Sequence, residues 1–181
     1  MRAIVCAAVL LAAASPALRA QEKGGQAVSK PVVVDIKNGQ GQSVGKATLS
    51  PVAHGVKITL DIKGLPPGEH SLHIHQNAKC IAPDFKSAGA HFDVPSTSKE
   101  HGHGLPAGDI PNFTLIVAPD GTAHTTVISP NISLGNDERS VFSNGGTAII
   151  IHAVASGDAA SAPPRIACGV IAKPELTATK Q

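Results

Sequence analysis

The chain has 181 residues, 15 basic against 13 acidic, with four phenylalanines and neither tryptophan nor tyrosine. Without residues 1–20, which carry Arg2 and Arg19, 13 basic residues balance 13 acidic ones, so nothing points to nucleic acid or an anionic membrane, and any electrostatic role must come from local placement of charge. The remaining 161 residues are the size of one domain, and its core must be aliphatic.

Residues 1–20 combine an early charge at Arg2, an apolar run from Ala3 to Ala14 and small residues up to Ala20, the pattern of a secretory signal peptide. The run is too short to anchor in a bilayer. An exported protein without a membrane partner is therefore expected, with 21–31 a flexible N-terminal segment, 32–173 the folded domain and 174–181 a C-terminal tail. Two cysteines, Cys80 and Cys168, remain in an oxidising compartment, and one disulfide is expected. It would close a loop of nearly ninety residues, a constraint worth up to roughly 4 kcal/mol.

Short β-type runs follow in order: 32–37, 44–50, 55–62, 70–75, 112–118, 124–129, 146–154 and 165–171, separated by turn signals such as NGQGQ, GLPPGE, APDGT and SNGG. No segment sustains a helical period. Eight such runs predict an all-β domain, an antiparallel sandwich or flattened barrel of Greek-key type. Residues 76–111 form a long connection, and loops of that length without secondary structure are uncommon unless they serve a function.

In the run HSLHIH, His73 and His75 are two apart, so a strand points both imidazoles to one face, half of a metal site. His70 lies at odd spacing from both and is read as structural, its ring tying a neighbouring loop by hydrogen bonds. His91 sits in the long loop and His152 ends the apolar run TAIIIH. Three or four imidazoles suit a borderline redox metal such as copper. The stretch KEHGHGLPAGD offers His101, His103 and Asp109 as further ligands, whereas His54 and His124 lie near turns and read as solvated surface residues.

Taken in order, HSLHIHQ, KCIAPDFKSAGAHFD, HGHGLPAGDIPN, TAIIIHA and PRIACGVI closely resemble the bacterial periplasmic copper–zinc superoxide dismutases over roughly residues 32–171. The resemblance implies an eight-stranded Greek-key barrel that converts superoxide to dioxygen and hydrogen peroxide in the periplasm, as a monomer or homodimer. It makes His73, His75, His91 and His152 the copper ligands, with His91 bridging to zinc and serving as a proton source. Cys80 and Cys168 correspond to the family disulfide. Arg165 stands at the mouth of the copper site to attract the anion, and Lys86 aligns with a lysine that assists guidance.

Two departures from the family pattern are visible. Pro106 occupies the position of a zinc-ligating histidine, which leaves His91, His101 and Asp109 with His103 as the one candidate replacement. Beyond His152, Ser156 stands where the family has an aspartate that orients ligands of both metals; Asp158, two residues on, is the possible substitute, in a shortened loop. The alternatives are a copper-only dismutase-like protein or a periplasmic copper-binding or delivery protein.

Overall fold

A computed structural model of the chain describes residues 30–94, 105–155 and 163–173. The expected signal peptide, most of the N-terminal segment and the tail lie outside these. Nine strands are present among the described residues: β1 (Val32–Asn38), β2 (Ser43–Val52), β3 (Gly55–Ile62), β4 (Gly68–His70), β5 (Leu72–His75), β6 (Leu115–Val117), β7 (Ala123–Ser129), β8 (Thr147–His152) and β9 (Arg165–Ile171). No α-helix occurs among the described residues, only two single 3-10 turns at Lys86–Ala88 and Ser143–Gly145.

Seven strands form one curled antiparallel sheet in the order β5-β8-β9-β1-β2-β3-β7, and β4 pairs with β6. The chain leaves β3 and returns beside it only at β7, the long connection of a Greek key. The all-β architecture expected from the eight runs is present. Its ninth strand arises because the run 70–75 divides at Ser71, whose N–H donates to Val154 and whose carbonyl accepts from His152. His70 therefore pairs toward β6, and Leu72–His75 pairs with β8.

Alternation of apolar and polar residues explains the half-barrel. In β1 and β3 every second residue is buried, and Val34, Ile36, Ile58 and Leu60 project into one aliphatic core. β8 is different: all six residues of TAIIIH are buried. Ile149 and Ile151 face the core, while Ala148 and Ile150 face outward into a second small cluster with Phe85, Ala88 and Cys168. The loop after β5 thus covers the outer face of β8, and that covered face carries the histidines.

Candidate metal centre

Antiparallel pairing of β5 with β8 sets His73 opposite Ile150 and His75 opposite Ala148, the outward residues of β8. His152 shares that parity and ends the strand, facing Arg165 across a register shift in the β8–β9 pair. On the other edge of β5, two loop segments add short bridges: His91 opposite His75, and Asp109 opposite His73. Three imidazoles from the sheet and one from the loop meet in this way. His73, His75, His91 and His152 each offer a nitrogen, and these atoms lie within 4.8 Å of one another.

The hydrogen bonds set which nitrogens face the centre. His75 Nδ1 lies 3.0 Å from the Gly89 carbonyl and His152 Nδ1 lies 3.0 Å from the Pro163 carbonyl. A carbonyl only accepts, so each Nδ1 carries the proton and each Nε2 keeps its lone pair. Both Nε2 atoms are buried and have no hydrogen-bond partner. Two buried acceptors without donors are costly in a protein interior, and a metal ion satisfies both. Burial, more than any other cause, pulls the pKa of His73 down to about 4 and of His75 to about 3, and it lowers His152 as well. The imidazoles are therefore neutral near pH 7, the form that ligates.

His91 differs from the other three. Its Nδ1 is 2.5 Å from Asp109 Oδ1, and its side chain remains 32% exposed, whereas His75 is wholly buried. Nδ1 of His91 and the Asp109 carboxylate thus form a second donor pair beside the first centre. Pro106 is in place three residues earlier, its carbonyl accepting the Asp109 N–H at 3.1 Å. His101, His103, Ser156 and Asp158 lie outside the described residues.

Arg165 opens β9, three residues before Cys168, which is bonded to Cys80. Its guanidinium donates from Nη1 to the Phe85 carbonyl at 2.8 Å and from Nη2 to the Gly89 carbonyl at 2.7 Å. The Gly89 oxygen therefore accepts from both His75 and Arg165. A shallow cavity of about 460 Å³ lies in front, lined by Pro83, Asp84, Lys86, Pro163, Pro164 and Arg165. Lys86 is 3.3 Å from Asp84 and its side chain is 83% exposed, so part of its charge is offset locally. Partial burial draws the Arg165 pKa down from its ordinary value, with Asp84 opposing the change.

His70 stands apart from the cluster. Its ring is buried and bridges the carbonyls of His152 and Pro66, each at 2.8 Å, the structural tie expected from its spacing. His54 and His124 are exposed, also as expected. The residues that sequence reading missed are those that act through the backbone, Gly89, Phe85 and Pro163. Gly89 and Phe85 both adopt positive φ, +78° and +53°, and of the two only glycine is a residue type whose presence in the sequence hints at such a backbone.

A curled β-sheet that gathers four imidazoles, with a carboxylate hydrogen-bonded to one of them, is the scaffold of an all-β protein able to hold a metal ion. The profile of "Copper/zinc superoxide dismutase (SODC)" matches residues 43–171. The chain belongs to that family. It is 37% identical over 148 residues to the Cu-Zn superoxide dismutase of Caulobacter vibrioides, covering 75% of this chain and 82% of the relative. With Cu-Zn superoxide dismutase 2 of Aquifex aeolicus it shares 40% identity over 147 residues, 76% and 84% of the two chains. Among solved structures, a double mutant of a SOD-like protein from Bacillus subtilis superposes with a TM-score of 0.67 at 32% identity, over 77% of this chain and 96% of that one.

Proposed function

We infer that the chain dismutates superoxide, with copper held by His73, His75, His91 and His152 and zinc held beside it through His91 and Asp109. The observation that carries the copper assignment is the pair of buried Nε2 atoms on His75 and His152, which face His73 and His91 and have no hydrogen-bond partner. When bound, copper supplies the one-electron chemistry, oxidising one superoxide to dioxygen and reducing the next. Zinc would be completed by His101 and by His103 in the place that Pro106 denies to a histidine.

The chain's own residues attract the anion and manage protons. Arg165, permanently charged and fixed by two carbonyls, lines the cavity and supplies the charge that attracts the anion. Two superoxide anions and two protons give one dioxygen and one hydrogen peroxide. His91, part exposed and hydrogen-bonded to Asp109, would hold and deliver a proton whenever its nitrogen facing the copper position is free. His75 and His152 are locked by Gly89 and Pro163 and keep their orientation throughout. Lys86 adds a weaker guiding charge, and Asp158 is the candidate to orient ligands where the family aspartate is replaced.

Residues 32–173 form the enzyme domain. Export to the periplasm through residues 1–20 is supported by the composition of that segment and by the Cys80–Cys168 disulfide, a bond suited to an oxidising compartment. Pro106 favours a second reading, a dismutase that works with copper alone. Metal content and dismutase activity measured on one sample loaded with both metals separate these readings. About one copper and one zinc per chain with turnover is expected. Copper without zinc but with turnover selects the copper-only enzyme, and bound copper without turnover overturns the enzymatic assignment in favour of a carrier.

A further inference from the structure

We propose that Asp93 is a positioning residue for the shared metal site, its carboxylate clamping together the two chain segments that bring His91 and Asp109 side by side. The proposal rests on the reading of His91 and Asp109 as zinc ligands.

The two segments arrive from opposite ends of one loop and lie along the same edge of β5. Ile74 is their common anchor. Its carbonyl accepts the Phe92 N–H at 2.8 Å, and its own N–H donates to the Gly108 carbonyl at 2.9 Å. The Gly108 N–H in turn donates to the Phe92 carbonyl at 2.7 Å, which closes a triangle of backbone bonds. Gly108 is required there, since a Cβ would lie 2.1 Å from the Ile74 oxygen.

One residue further toward the loop, the tie passes from backbone to side chain. Asp93 Oδ1 accepts the Val94 N–H at 2.9 Å and reaches across to the Ala107 N–H at 3.3 Å. Asp93 follows His91 by two residues, and Ala107 precedes Asp109 by two. The clamp is therefore symmetric about the ligand pair, and it acts at the end where the two segments diverge into the loop. A carboxylate is a stronger acceptor than a neutral oxygen. Asp93 is exposed, so truncating it opens no cavity in the core; the loss is felt through these hydrogen bonds.

Zinc affinity of the disulfide-bonded chain, measured by competition with a chromophoric chelator, tests the clamp, with copper affinity measured in parallel and cobalt used as a spectroscopic probe of the zinc position. Asp93→Ala is expected to weaken zinc by about tenfold and to alter the cobalt bands, with a smaller loss of copper affinity, because three of the four copper imidazoles come from the sheet rather than from the clamped segments. Asp93→Leu, which keeps the branched shape without an acceptor, should match it. Asp93→Asn, whose amide oxygen still accepts both N–H groups, should stay close to the parent. The clamp is overturned if the Ala and Leu variants bind zinc as tightly as the parent, if the Asn variant falls as far as they do, or if copper affinity falls in step with zinc. Failure of the parent to bind zinc, or an Asp109→Ala variant with undiminished zinc affinity, instead rejects the ligand assignment itself, and the clamp with it.

Discussion

Replacing Arg165 by alanine removes the charge at the mouth and leaves the four imidazoles in place. The size of the effect follows from where the guanidinium sits. Two of its N–H groups are committed to Phe85 and Gly89, and it is part exposed, so an anion meets it in an environment between water and a protein surface. At a separation of about 5 Å, such conditions give roughly 1–3 kcal/mol of attraction. Asp84, near enough to act on the Arg165 charge, offsets some of this. A loss of about tenfold in kcat/KM at low salt is therefore expected, within the range of electrostatic steering. The loss should shrink toward physiological ionic strength, where the screening length falls to about 8 Å. Arg165→Lys keeps the charge without the planar fork and should fall between the parent and the alanine variant. Pulse radiolysis across a series of salt concentrations, with copper content measured on the same samples, makes the comparison. A rate for Arg165→Ala equal to the parent at low salt, with the same salt dependence, would refute anion capture by this residue.

Three further outcomes are expected. The metal-free protein should lose stability as pH falls below 6.5, because the unfolded chain takes up protons at its histidines while folded His73 and His75 resist until about 4 and 3. His75 alone contributes roughly 3 kcal/mol of that loss by pH 4.5; urea unfolding at stepped pH checks it, and a flat profile between pH 6.5 and 4.5 would count against burial of the neutral rings. Paired Cys80→Ser and Cys168→Ser substitutions should lower stability by roughly 2–5 kcal/mol and also reduce turnover, since the loop between β5 and Arg165 supplies the carbonyls that hold the guanidinium; full activity with intact copper would contradict this coupling. Phe85→Ala, which empties the largest side chain of the outer cluster, should destabilise by about 3–5 kcal/mol. An unfolding curve within 1 kcal/mol, taken as roughly the limit for a surface change, would show that the cluster is not packed as described.

The parts of this protein that were legible in the sequence are those governed by short periods. Alternation placed the strands, and a spacing of two put His73 and His75 on one face. The break at Ser71 was not legible, because HSLHIH reads as one run and only the backbone bonds to Val154 and His152 divide it. His152 looked equally like a buried core histidine, and its role depends on pairing with a strand some eighty residues away. The acceptors that orient His75, His152 and Arg165 are main-chain carbonyls, and any residue type can supply a carbonyl. Asp93 gave no sign for a related reason: its partner Ala107 is brought near only by a loop that closes on β5.

β5 stands at the end of the seven-stranded sheet, with β8 on one side only. Its other side is occupied by the metal loop, through Phe92, Gly108 and the bond from the Gln76 N–H to the Ala90 carbonyl at 3.0 Å. An uncovered strand edge is a template on which other chains can add, and folded proteins guard such edges. The segments that carry His91 and Asp109 are thus also the guard of this edge. Whatever loosens them exposes a strand of alternating apolar residues, and the integrity of the metal loop becomes a matter of solubility as well as of catalysis.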